Sequence, residues 1–204
     1  MVAVRQRAGL ALFGGCVAAA GDTIAQGLEG WAAGRDRRRH DGVRTLRFFV
    51  YGAAFAQASF AWHRFLSARF PLQAAAGAEA AGRPLLRKAA VVLKRIAVDQ
   101  IVFAPFACAS YIVGMGALEG RGPRELLARV RAQLPQVLLA GYCLWPAAQL
   151  VNFSIVPLAY RVHFGSAVGM FWNTYLSWTS AQLEQQARLH SPPGAAAMAQ
   201  TQHA

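Results

Sequence analysis

Acids are scarce in this chain. Nine Asp and Glu stand against 21 Lys and Arg over 204 residues, a formal charge of +12. Only 15% of residues are charged, whereas a soluble domain carries about a quarter. Cysteine is nearly absent too. Cys16, Cys108 and Cys143 are isolated in apolar runs, which excludes a disulfide framework and a CxxC-type metal or redox site. His40, His63, His163, His190 and His203 show no ligand spacing, so no metal and no cofactor are expected. The GxSxG, HExxH, P-loop and GxGxxG patterns are missing, and the acids within apolar runs are solitary. An enzyme is therefore not expected, and no RNA-recognition or zinc-finger pattern explains the basic excess.

What the chain does have is apolar length. It is 55% hydrophobic, with a mean hydropathy of +0.28. Ala8 to Gly21 is free of charge and resumes past Asp22 to Leu28; Phe48 to Trp62 is a second such run. Ile96 to Leu118 is interrupted only by Asp99, and Leu134 to Tyr160 contains no charged residue. A helix needs about 20 residues to cross the hydrocarbon. The last two runs reach that outright, and the first two reach it with arginines snorkelling at their ends.

The expected fold is all-α: an integral membrane bundle of about four transmembrane helices, with spans near 8–28, 47–66, 96–118 and 134–160. Trp172, Tyr175 and Trp178 at helical spacing mark a further interfacial or packed helix near 165–188. Residues 1–188 then form one domain, and the aperiodic tail 189–204 is expected to be disordered. The basic residues fall between the runs, at Arg35 to Arg47, Arg64 to Arg95 and Arg121 to Arg131, where they suit phospholipid headgroups. They divide almost evenly between the two sides, so charge gives no orientation. MVAVRQR and the apolar run behind it have the look of a signal peptide, but the segment is expected to be retained as the first span.

Polar residues inside the runs are the candidate functional groups, because ionisable groups in a span usually face a bundle interior or water. Asp22 and Gln26 are four apart and share a helix face, and Gly21 beside them lets another helix approach. Asp99 follows Arg95 by four, a spacing for a same-helix ion pair. Gln100 points about 100° away from Asp99, and Pro105 is expected to free the carbonyl of Ile101. Trp145, Gln149 and Asn152 form one stripe in LWPAAQLVNFSIVP, where Pro146 and Pro157 would free the carbonyls of Tyr142 and Phe153. These side chains act either as interhelical glue or as the lining of a hydrophilic pathway.

Taken in order, the motifs resemble the Mpv-seventeen/peroxisomal-membrane-protein-twenty-two family of organelle membrane proteins. The resemblance runs from GDTIAQ at Gly21 to NTYLSW ending at Trp178. Its residues are Gly21, Asp22 and Gln26; Asp41, Arg44, Arg47 and Gly52; Trp62 and Leu66; and Arg95, Asp99, Gln100 and Pro105. WPAAQLVNFSIVPLAYR, with Arg161 at its end, is the most specific block, and Trp172 to Ser177 closes the pattern. The chain departs from it at Ala56-Gln57, Phe60 and Trp62-His63, and Tyr142 stands where the family usually has Trp.

The resemblance implies a four-span protein of an organelle membrane, the mitochondrial inner membrane ahead of the peroxisome or plastid. It also implies channel-like permeation of small solutes, with effects on stress response and organelle homeostasis. The expected partners are the lipid bilayer, further copies of the chain and a small permeating solute. The alternative is a non-conducting scaffold whose Arg-rich loops hold a mitochondrial ribosome or nucleoid.

Overall fold

The computed structural model describes residues 2–32, 40–71, 84–156 and 161–190, and all but the short connections among these are helical. Helix α1 is Val2–Ala32, α2 is Gly42–Arg69 and α3 is Pro84–Val98. A π-helical segment, Asp99–Phe103, joins α3 to α4, Ala104–Leu118. Helix α5 is Pro123–Ser154 and α6 is Arg161–His190. Several of these exceed 40 Å in length at about 1.5 Å per residue.

Among the described residues, three stretches are long and apolar enough to cross a membrane: Arg7–Trp31, Ala89–Leu118 and Pro123–Asn152. Helix α2 is not among them, because Tyr51, Gln57, Ser59, Trp62 and His63 make it too weakly apolar over that length. It packs against α1 along its length and against α4, burying Phe48 and Leu66 and leaving Leu46, Val50 and Phe65 exposed. The tail 191–204, the Arg35 to Arg39 cluster and Pro157 lie outside the described residues.

Apolar side chains cover the outside of this bundle. Ile101, Phe171, Leu139 and Phe13 are all more than half exposed, as residues facing lipid are and residues facing water are not. The interior is comparatively small and aromatic. Ala18, Phe48, Cys108, Tyr111, Ile112, Met115, Val137 and Leu176 form its buried core. Cys108 packs there as a small hydrophobe, while Cys16 and Cys143 are exposed on apolar helices.

Close packing of α1 on α2 rests on small residues. A Cβ on Gly14 would stand 2.6 Å from the Ala56 Cβ and 2.8 Å from the Gly52 carbonyl oxygen. Without van der Waals bulk at those points, two backbones come near enough for dispersion and weak Cα–H contacts to hold them. Gly21 lets α6 approach in the same way, and its missing Cβ would meet the Asn173 Cβ at 2.6 Å.

The α4–α5 turn is closed by Gly120, whose φ of +78° favours glycine. Arg121 there binds Glu119 and Glu125, and Arg129 binds Glu119 at 3.0 Å. Partial burial works against the Arg121 charge, but hydrogen bonds to the two glutamates and their charges hold its pKa above the usual arginine value.

Candidate functional site: two buried polar clusters

The first cluster lies where the N-terminus of α2 meets α1 and α6. Asp22 is completely buried, and both of its oxygens are fully engaged. Oδ1 takes Arg44 Nε at 2.8 Å and the Ser177 hydroxyl at 2.6 Å. Oδ2 takes the Thr45 hydroxyl at 2.6 Å and Gln26 Nε2 at 2.8 Å. Arg44 also grips Glu29 with both terminal nitrogens, at 3.0 and 2.7 Å, and donates to the Ser177 carbonyl and hydroxyl.

One guanidinium thus serves two carboxylates. The surplus negative charge faces the positive end of the α2 dipole. That end is fixed by Asp41, whose side chain accepts from the Arg44 N–H at 3.0 Å as the N-cap. Gln26 holds the same turn by accepting the Asp41 N–H at 2.7 Å and donating to its carbonyl. Thr45 has a single proton, and the short contact gives it to Asp22. His40 Nε2, 3.0 Å from the same hydroxyl, is therefore placed as a donor.

The second cluster is built around Asp99, which is 8% exposed. Trp62 Nε1 donates to Oδ1 at 2.9 Å. Gln100 and Gln149 donate to Oδ2 at 3.1 and 3.3 Å. The expected ion pair to Arg95 does not form. Arg95 turns instead to the Phe70 carbonyl, with Nε at 2.8 Å, because α2 ends there and leaves carbonyls without helical partners. Asp99 has no cation in contact among the described residues. The side-chain oxygens of Gln100 and of Asn152, one turn beyond Gln149, are buried without a hydrogen-bond partner among the described residues.

The π segment also changes the expected role of Pro105. Ala104 N–H bonds the Asp99 carbonyl, five residues back. In that register the N–H that Pro105 lacks would have met Gln100 rather than Ile101. The Tyr142 hydroxyl of α5 fills the gap, donating to the Gln100 carbonyl at 3.1 Å. Tyr142→Phe is expected to leave that carbonyl unpaired and to cost about 1–3 kcal/mol, read from unfolding in mixed detergent micelles. An unchanged midpoint would remove the capping role.

The residues read as one seam therefore fall into two groups. Thr45 and Trp62 mark them on α2, about 25 Å apart by helical rise. Between them lie Phe48, Tyr51 and Phe55, with Tyr51 against Tyr111 and Phe55 stacked on Phe103. Trp145 joins neither group and meets Trp172 edge-on at 6.1 Å. Pro146 lies inside α5, as does Pro135. Arg47 is half-buried with no bonded partner among the described residues. Arg161 opens α6, its side chain outside the described set.

Glu29, Thr45 and Ser177, and the part played by Trp62, were not anticipated as site residues. Glu29 had a signal, since Asp22, Gln26 and Glu29 repeat the i, i+4, i+7 spacing of the Trp145 stripe. Ser177 belonged to the family pattern, but nothing in the sequence tied it to Asp22, which it reaches only through tertiary packing.

A family model described as Mpv17 / PMP22 matches residues 116–177. Protein SYM1 of Gibberella zeae is 34% identical over 80% of this chain and 84% of its own length. The chain belongs to the Mpv17 / PMP22 family. Among other members, Protein SYM1 of Saccharomyces cerevisiae is 31% identical over 90% of this chain and 89% of its own. The rat protein named mitochondrial inner membrane protein Mpv17 is 32% identical over 84% and 89%. With its apolar helices, this family member is an integral protein of the mitochondrial inner membrane. No solved structure matches it.

Proposed function

We propose that this family member is channel-like and passes small cationic or neutral solutes, with Asp99 as the attractive site on the route. The observation that carries this reading is a buried carboxylate without a cation among the described residues, with unpartnered buried amide oxygens on Gln100 next to it and on Asn152, one turn beyond Gln149. A structural carboxylate in hydrocarbon is normally paired or bound to backbone. Asp99 instead accepts from three neutral donors, Trp62, Gln100 and Gln149. The route enters past Asn152 and Gln149 and reaches Asp99. There the stacked rings of Trp62, Phe103 and Phe55 bar the way toward the Asp22 cluster, so conduction requires those rings to part.

Purified protein in planar bilayers is expected to conduct, with a reversal potential in a salt gradient that favours cations. A unit charge acts on a cation 4 Å away with about 4 kcal/mol at an effective dielectric of 20. Asp99→Asn is therefore expected to abolish the cation preference, and Asn152→Leu to lower conductance without reversing selectivity. Silent bilayers with folded protein, or an Asp99→Asn channel of unchanged selectivity, would sink the reading.

A further inference from the structure

On the outer face of the bundle, α2 and the π–α4 junction leave an apolar groove of about 380 Å³. Ala58, Ala61 and Phe65 of α2 line one wall, and Val102 and Phe106 the other. The floor is aromatic, with Trp62 stacked on Phe103 at 5.2 Å and nearly parallel. Phe65, Val102 and Phe106 are each about half exposed, so the groove opens toward the bilayer rather than into the bundle.

One end of this groove is basic. Arg69 is one turn beyond Phe65 on the same face of α2, and Arg64 is one turn beyond Ala61. Across the groove, the Arg95 contact with the Phe70 carbonyl brings that turn of α3 level with the end of α2. Lys94, beside Arg95, is exposed. Arg64, Arg69 and Lys94 have no acidic partner among the described residues; Arg64 and Arg69 lie only against the rings of Phe60 and Phe70. From Ala58 to Arg69 the helix rises about 16 Å, close to one leaflet of a hydrocarbon core about 30 Å thick.

We propose that this groove seats an anionic phospholipid. One acyl chain lies over Trp62 and Phe103, where Ala58 and Ala61 make room, and the phosphate is held by Arg69 and Lys94 with Arg64 beside them. The apolar wall gives the site its depth, and the unpaired cations give it its preference for negative charge. Such a lipid buries aromatic surface next to the Trp62–Asp99 hydrogen bond and covers the junction where the helix changes register. This site holds whether or not the chain conducts.

The test is native mass spectrometry of the full chain in mixed micelles with phosphatidylglycerol or phosphatidylcholine of identical acyl chains. The wild type is expected to retain phosphatidylglycerol preferentially at a saturable site. Arg69→Gln and Lys94→Gln should each weaken that preference about fivefold. Ala61→Phe, with Ala58→Leu as a second groove-filling variant, should lower occupancy by both lipids, with thermal unfolding reporting that each variant folds. Phosphatidylglycerol preference surviving the charge variants would overturn the proposal. So would occupancy unaffected by filling the groove, which would mean general surface attraction. Displacement by millimolar glycerol phosphate would also overturn it, because the site would then read a headgroup without its chain.

Discussion

Asp22→Ala is expected to destabilise the folded protein by about 3–5 kcal/mol, the cost of breaking a buried pair from one side. The reason is geometric. Asp22 accepts four hydrogen bonds from α1, α2 and α6, and removing it takes the acceptor from Ser177, Thr45 and part of Arg44 at a fully buried position. Glu29→Gln is expected to cost less, because Glu29 binds Arg44 from a less buried position and Arg44 retains Asp22. The measurement is equilibrium unfolding in mixed micelles, with Arg44→Met and the double variant completing a cycle. Arg44→Met alone should be comparably severe, and the double variant much milder than the sum of the singles. Effects that simply add would mean that the pair does not tie these helices together.

Gly52→Leu is expected to be the next most damaging change, and Gly52→Ala already to cost about 1–3 kcal/mol by overpacking. A Cβ there would lie 2.6 Å from both the Ala18 Cβ and the Gly14 carbonyl oxygen, and a backbone oxygen cannot rotate away. The two helices must then separate, which loosens the contact that also brings Asp22 to Arg44. Gly27→Ala is the control. It meets nothing within 4 Å, so better helix propensity should make it neutral or stabilising by up to about 1 kcal/mol. Similar small gains from Ala at positions 27 and 52 would show that helix propensity, not close packing, governs this interface.

The helices and their membrane character were legible because hydropathy is a local property. Runs free of charge declare themselves, and the isolated Asp22 and Asp99 within them mark where partners must exist. The family resemblance was legible from GDTIAQ, KRIAVDQIVFAP and WPAAQLVNFSIVP for the same reason, since each is a contiguous string. The choice of partner was not legible. Arg95 and Asp99 have ideal spacing for an ion pair, yet the end of α2 offers Arg95 a carbonyl and Trp62 offers Asp99 an indole. Helical spacing lists which neighbours a side chain can reach, and the competing offer comes from another helix.

The register change at Asp99–Phe103 shows the same division. Pro105 announces that some carbonyl will lack its donor. Only the π segment decides that it is Gln100, and only the placement of α5 brings Tyr142 to cap it. By itself the sequence determined a helical membrane protein, its apolar exterior and the costly polar residues within. The tertiary structure alone decided that these residues form two clusters rather than one seam, with Asp22 locked by Arg44 and Asp99 without a cation among the described residues. The physical reason is that burial in lipid depends on composition along the chain, whereas satisfying a buried charge depends on what distant helices bring to it.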